Sequence, residues 1–107
     1  MVRLRFMRVM VFFDLPTKTS KDIRNYNRFR HFLLDEGFVM MQESVYSKIT
    51  TNGTGADTVI RKIRGHRPPD GIVEVLTITE TQFQGIEYIV GECQTEIVDS
   101  QERFVLL

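Results

Sequence analysis

The chain has 107 residues, of which 42% are hydrophobic and 26% charged, and its 14 basic side chains balance 14 acidic ones. This length predicts one domain, residues 1–107, because two hydrophobic cores would each be marginal. The composition excludes a disordered chain, and no apolar stretch approaches the roughly 20 residues that a bilayer needs. No cleavage site follows the N-terminal arginines, so we expect a cytoplasmic protein with no membrane partner.

Metal ligands of the sulfur and imidazole type are scarce in this sequence. Cys93 is the one cysteine, and His31 and His66 are the two histidines. Neither an internal disulfide nor a zinc or iron site is therefore expected. We expect any metal to be bound by oxygen atoms.

The first two predicted elements are a strand and a helix. A short apolar run bounded by turn residues predicts a buried strand over residues 5–13. Thr19 followed by Asp22 is typical of a capping box, and Gly37 is typical of a helix end. Together they predict a helix over about 19–36. One face of this helix is apolar and consists of Ile23, Tyr26, Phe29 and Leu33.

The middle of the chain contains two β-leaning pieces and a second helix. Residues 38–41 and 44–49 are separated by Gln42 and Glu43, a pattern typical of either a tight hairpin or one bent strand with a bulge. A short helix follows a glycine-rich turn and ends at Gly65. The apolar markers of this helix are Val59, Ile60 and Ile63.

The sequence "IVEVLTIT", residues 72–79, predicts the last strand of the core. The element order is β-α-β(β)-α-β, which is typical of a ferredoxin-like α+β fold, an antiparallel sheet with both helices on one face. We expect this core to span about 5–79. The extension over about 80–107 has no clear period until "ERFVLL", which predicts an extra strand.

Apolar side chains occur on both faces of the predicted sheet. The first strand has Met7, Val9, Val11 and Phe13 on one face and Arg8, Met10, Phe12 and Asp14 on the other. The last strand has Ile72, Leu76 and Ile78 opposing Val73 and Val75. Since two helices cover only one face, the second face is expected to be an interface. The simplest cover is a second copy related by a two-fold axis, which predicts a sheet-to-sheet homodimer.

Asp14 ends the first strand and is followed directly by Leu15 and Pro16. A two-fold dimer could bring two Asp14 carboxylates together, and like charges at close range need a cation or a proton. Mg²⁺ accepts one or two carboxylates and could lower the pKa of a water that attacks a phosphodiester. The alternative is that Asp14 only forms a turn or caps the loop before the helix.

Two clusters of basic residues are candidates for binding a phosphate backbone. The first helix carries Lys21, Arg24, Arg28 and His31, and Asp35 closes the same stripe. The alternative is a solvated face with a pair between His31 and Asp35. The denser cluster, at the end of the second helix, is Arg61, Lys62, Arg64 and Arg67. A dimer would double both clusters into a positive track, even on a chain with zero net charge.

Three segments of the sequence are specific enough together to indicate a family. They are "MRVMVFFDLPT", "FLLDEGFVMMQESVYSKI" and "SQERFVLL", and the likeness extends over almost the whole chain. In this combination they resemble the second CRISPR-associated protein family, Cas-two, in its type II-A form. Members of this family are the small partner of the CRISPR spacer-acquisition integrase.

The resemblance implies a ferredoxin-like homodimer whose C-terminal strand reaches the neighbouring subunit. Two dimers of the integrase flank it, and the complex binds duplex DNA for insertion into the CRISPR array. It also implies a Mg²⁺ shared by Asp14 of both subunits and a metal-dependent endonuclease activity on DNA or RNA. The integration chemistry itself belongs to the integrase. The residues that we expect to bind the DNA are Arg24, Arg28, Arg61, Lys62, Arg64 and Arg67.

The sequence leaves two alternatives to a DNA-binding scaffold open. One is a metal-dependent endoribonuclease, a phosphodiesterase that uses the paired Asp14 carboxylates. The other is an RNA-recognition module, because "VFFDL" resembles the aromatic first-strand motif of that fold. Its second motif is missing, however, since "SVYSKI" offers only Tyr46 for stacking.

Overall fold

The N-terminal apolar run forms a strand in the computed structural model, which describes residues 5–92. This strand is β1 (Met7–Asp14). The elements that follow are α1 (Ser20–Asp35), β2 (Val39–Gln42), β3 (Val45–Thr50), α2 (Gly53–Gly65), β4 (Ile72–Thr79) and α3 (Glu80–Gln84). The βαββαβ order expected from the sequence is confirmed, and α3 is an addition that the sequence pattern did not reveal.

The four strands form one antiparallel sheet in the order β2-β3-β1-β4. Because β1 lies in the middle, its residues have partners on both sides. Val11 is opposite Tyr46 on β3 and Val75 on β4. This topology confirms the predicted α+β class and agrees with a ferredoxin-like fold.

The first helix begins at the predicted capping box. The Thr19 hydroxyl accepts a hydrogen bond from the Asp22 backbone N–H at 3.0 Å, and the Asp22 carboxylate accepts one from the Thr19 N–H. Gly37, with φ of +93°, follows the helix in the left-handed region that favours glycine. Both boundary predictions are confirmed.

One residue of the predicted apolar face of α1 is misplaced. Phe29 and Leu33 are buried and Tyr26 packs against the core, but the Ile23 side chain is 47% exposed. Ile23 lies in the first turn, and the core cluster begins one turn later at Tyr26. The first turn therefore extends beyond the apolar surface that the sheet provides.

Of the two alternatives for the middle of the chain, the hairpin is correct and the single bent strand is wrong, although a bulge is present within β2. A two-residue turn, Glu43 and Ser44, joins β2 to β3, and the register shifts between Met40 and Gln42. Ser44 adopts a φ of +69° in this turn. The bulge adds one residue to β2 and thereby changes which side chains of this edge strand face the core.

The second helix starts earlier than its apolar markers suggest. The Asn52 side chain accepts a hydrogen bond from the Gly55 backbone N–H at 2.9 Å and caps the helix at Gly53. Most of the glycine-rich segment therefore belongs to α2 rather than to a separate turn. The predicted end at Gly65 is confirmed.

Both helices pack on the same face of the sheet, as predicted. From β1, this face contributes Val9, Val11 and Phe13, all at most 5% exposed. The helices contribute Phe29, Leu33, Ala56, Val59 and Ile63, and the other strands contribute Tyr46, Val73 and Val75. The Phe13 ring makes edge contacts with Tyr26 and Phe29 and stacks on Tyr46. The core thus centres on the end of β1, next to Asp14.

The opposite face of the sheet carries no helix of the α1 and α2 layer and is strongly apolar. Ile49, Ile72 and Leu76 are 45%, 58% and 51% exposed, respectively. Met10, in the middle of the face, is nearly buried at 8%. The sequence-based prediction of apolar residues on both faces is confirmed, and we call this second surface the open face.

The described part of the chain ends shortly after α3. Ile86, Ile89 and Val90 in this stretch are 40%, 83% and 90% exposed. The strand predicted from "ERFVLL" lies outside the described residues. Within residues 5–92, no helix is long and apolar enough to cross a membrane.

Candidate functional site

Asp14 occupies the last position of β1, at one edge of the open face. Its side chain is exposed, and its backbone pairs with Ile72 at the start of β4. Gly71 fixes this corner, because a Cβ at that position would lie 2.6 Å from the Asp14 carbonyl oxygen. A glycine with φ of +93° is therefore what allows β4 to begin directly beside the carboxylate.

Within residues 5–92 the Asp14 carboxylate has neither an ion pair nor a hydrogen bond, and the cap of α1 is supplied by Thr19 and Asp22 instead. Asp14 therefore does not cap α1. The same residues contain no group of three or more metal-ligating side chains. Residues 5–92 of a single subunit therefore do not supply three such side chains to one metal ion.

A second carboxylate shares the open face with Asp14. Glu74 pairs with Phe12 across the β1–β4 ladder, while Asp14 pairs with Ile72. This register makes Glu74 a diagonal neighbour of Asp14, at a backbone separation of about 7–8 Å. The sequence analysis did not single out Glu74, although its position in an alternating strand placed it on this face.

A charged cluster lies at the other end of the open face. Arg8 donates to both carboxylate oxygens of Glu80, at 2.9 and 2.6 Å, and its guanidinium lies 4.0 Å from the Phe83 ring centre. These hydrogen bonds from Arg8 lower the pKa of Glu80; desolvation opposes the shift, and a hydrogen bond from Gln84 adds to it. Arg8 thereby fastens α3 to β1.

The signal for α3 was present in the sequence. Thr79 and Gln82 form a capping box, in which the Thr79 hydroxyl accepts from the Gln82 N–H at 3.0 Å. The motif was overlooked because the five-residue helix is too short to show an apolar period. A Thr followed three residues later by Gln could have identified it.

Three of the four basic residues of the predicted stripe on α1, all except Lys21, line a groove between α1 and the end of α2. Of the residues predicted to bind DNA, Arg24 and Arg28 line this groove. The other lining residues are Asn27, His31, Phe32, Asp35 and His66. No ion pair between His31 and Asp35 is present in the described structure. α1 supplies the arginines of the groove, and His66, which directly follows α2, is a member that the sequence analysis missed.

The four basic residues in and just after α2 do not form one patch. Arg64 and Arg67 line a second groove, formed with β4. The Arg67 guanidinium donates to the Arg64 carbonyl oxygen at 2.9 Å, at the end of the helix. The Lys62 ammonium is 3.3 Å from a carboxylate oxygen of Glu36, and Arg61 is exposed. The six predicted DNA-binding residues are thus divided between separate surfaces.

The fold and these features define a class of small α+β domain with an open apolar sheet face, a strand-end carboxylate and basic helices. The family described as "CRISPR associated protein Cas2" matches residues 7–86, from the first residue of β1 to just beyond α3. The chain belongs to this family, and the family prediction made from the sequence is confirmed.

Curated relatives match the chain over nearly its full length. A protein from Treponema denticola is 48% identical over 101 residues, covering 94% of this chain and 100% of the relative. One from Lacticaseibacillus rhamnosus is 45% identical with the same coverage. One from Streptococcus mutans is 42% identical and is covered to 93%. Each relative bears the name "CRISPR-associated endoribonuclease Cas2".

Proposed function

We propose that this protein is a homodimeric scaffold that binds duplex DNA for insertion into a CRISPR array, as a partner of the spacer-acquisition integrase. The open face, with Asp14 at its edge, is the observation that carries this proposal. Family membership supports a role in CRISPR adaptation. The type II-A form, supported by the Streptococcus mutans relative, and action in the cytoplasm are part of the same proposal.

The dimer is supported by the exposure of large apolar side chains on the open face. Leu76 and Ile72 are each more than half exposed, and Ile49 nearly so. Contiguous apolar surface of this kind marks an interaction site in soluble proteins. A two-fold axis across the face would cover the same patch on both subunits, and two integrase dimers would flank the resulting pair.

The proposed metal site consists of Asp14 and Asp14 of the partner subunit. The Asp14 side chain fits Mg²⁺ in type, because it is an exposed oxygen donor with no partner among residues 5–92. When bound there, Mg²⁺ would polarise a phosphodiester and activate water. The contribution of the chain is to hold the carboxylate at a fixed strand end, which the close approach of Gly71 secures.

The DNA-binding part of the proposal is supported by the basic residues of both helices. Arg24 and Arg28 contribute guanidinium groups, without an ion pair among residues 5–92, to the groove between the helices, and Arg64 and Arg67 border a second groove. Zero net charge suits a subunit that shares the DNA with a larger partner. Phosphate contacts predict an affinity that falls as the salt concentration rises.

A salt titration of duplex DNA binding tests the scaffold, both for the protein alone and with the integrase. Neutralising Arg24, Arg28, Arg61, Lys62, Arg64 and Arg67 should weaken binding and flatten the dependence of log affinity on log salt. Unchanged affinity and slope in the six-residue variant would reject this interface.

A second candidate function is a metal-dependent endoribonuclease, and the names of the relatives favour it. In this proposal the paired Asp14 carboxylates carry the reaction, and the substrate is RNA. Asp14→Asn keeps the size of the side chain but removes its charge, so it should abolish Mg²⁺-dependent cleavage. Asp57→Asn, at an exposed carboxylate on α2, is the matched control. Equal cleavage by wild type and Asp14→Asn would exclude this active site.

An RNA-recognition module is disfavoured by the placement of Tyr46. This residue is the one aromatic candidate on β3 for stacking on a base, but it is 1% exposed and packs against Phe13 in the core. The residues that β3 contributes to the open face are Val45, Ser47 and Ile49. A sheet with this composition lacks the stacking pair on which that mode of binding depends.

A further inference from the structure

The groove between α1 and α2 contains both histidines of the chain. The sequence has two histidines, and His31 on α1 and His66 after α2 line the same groove. Histidine is the side chain whose ordinary titration falls between pH 5 and 8. Both residues of this type in the sequence therefore lie in one groove.

The ring of His66 is held in a defined orientation. It stacks on Phe32 with ring centres 4.1 Å apart and an angle of 13° between the planes. Its Nδ1 atom lies 3.0 Å from the Lys62 carbonyl oxygen. Because a carbonyl can only accept, Nδ1 carries the proton in this contact. Nε2 is thus the ring nitrogen that this contact does not use.

The charges that face His66 favour an anion in the groove. From α1 these are Arg24, Arg28 and Asp35, together with the second imidazole, His31. On the side of α2, the Lys62 ammonium is offset by Glu36. Two arginines against one aspartate leave a net charge of +1, which rises to +3 when both imidazoles are protonated.

We propose that this groove binds a phosphate of the DNA backbone through Arg24, Arg28 and His66, with His31 as a second imidazole in the same site. The inference rests on the proposed DNA-binding function and adds a residue and a property to it. A nearby phosphate favours the charged form of an imidazole. Binding of duplex DNA near neutral pH is therefore coupled to uptake of protons by the protein.

Calorimetry of duplex binding in buffers of different ionisation enthalpy measures this coupling. At about pH 7 the wild type should take up between a few tenths and about two protons per subunit, since two imidazoles are present. Affinity at pH 6 should exceed that at pH 8 by about tenfold, the value of one charged hydrogen bond. His31→Gln/His66→Gln should remove both effects, and His66→Gln alone should remove part of them.

Arg24→Gln/Arg28→Gln serves as the matched variant. It should weaken binding at every pH and reduce the salt slope by up to about 1.8, the value for two phosphate contacts, while proton uptake persists in part. Thermal melting of each variant verifies that it is folded. If the double histidine variant binds DNA with the same proton uptake as wild type, the inference is overturned and the scaffold stands. If wild type itself shows no salt-dependent binding, both fail.

Discussion

Arg8 and Glu80 are 72 residues apart in the sequence, and two hydrogen bonds of 2.9 and 2.6 Å join their side chains on the open face. Arg8 lowers the pKa of Glu80 below its ordinary value of 4.5. The stabilisation from this pair is therefore fully present above about pH 4.5 and is lost as the pH falls through the folded-state pKa. Melting temperatures measured from pH 7 to pH 2.5 should show this loss in wild type and less of it in Glu80→Gln.

The energy of the same pair can be measured with a double-mutant cycle. The two side chains are 16% and 21% exposed and the contact is bidentate, so a coupling of about 1 kcal/mol is expected, at the upper end for partly exposed pairs. The variants are Arg8→Gln, Glu80→Gln and the double variant, compared by urea unfolding. A coupling energy within error of zero would mean that Arg8 does not hold α3 on the sheet.

Gly71 should be the glycine least tolerant of substitution in residues 5–92. A Cβ would lie 2.6 Å from the Asp14 carbonyl oxygen and 2.8 Å from Leu15 Cδ2, and the φ of +93° is strained for other residues. We expect Gly71→Ala to reduce the free energy of unfolding by about 2 kcal/mol or more. Gly65→Ala is the control, because nothing lies within 4 Å of its Cβ. Equal stability of the two variants in urea unfolding would contradict this assignment.

Much of the fold followed from local patterns in the sequence. The strand β1, the capping box of Thr19 and the β4 alternation are each encoded within a few residues, so each was predicted correctly. Ile23 was misplaced because helical periodicity predicts the face of the helix on which a residue lies. It does not predict how far along the helix the sheet extends beneath that face. The choice between a hairpin and one bent strand depended on the pairing of β2 with β3, which is not a local property.

The candidate site was harder to predict from the sequence than the fold was. Asp14 could be recognised because it ends a buried strand, and the structure leaves it exposed and unpaired among residues 5–92. Arg8 and Glu80, by contrast, meet only through the register of β1 with β4. His66 joins Arg24 only because α1 and α2 pack side by side. Contacts of this kind depend on tertiary structure and have no signature in spacing.

Glu36 should weaken DNA binding by the wild-type protein. Its carboxylate is 3.3 Å from the Lys62 ammonium, whose side chain is 54% exposed. Removing the negative charge in Glu36→Gln would leave Lys62 available to a phosphate. The salt slope of duplex binding should then become steeper by up to about 0.9, the value for one phosphate contact. Glu43→Gln, in the exposed hairpin turn, is the control; a slope equal to that control would show that Lys62 lies outside the interface.

Leu76 provides the most direct test of the proposed dimer. Its side chain is 51% exposed near the middle of the open face, opposite Met10, so a glutamate at this position can point to solvent in a folded monomer. In a sheet-to-sheet dimer the two-fold axis would instead bury a charge on each side, at a cost of several kcal/mol. Leu76→Glu should therefore convert a dimer into a folded monomer by light scattering at several concentrations. Ile23→Glu, at a side chain 47% exposed on α1, should stay dimeric. A Leu76→Glu protein that remains dimeric would show that the subunits associate through another surface, and the pairing of Asp14 with Asp14 of the partner subunit would lose its basis.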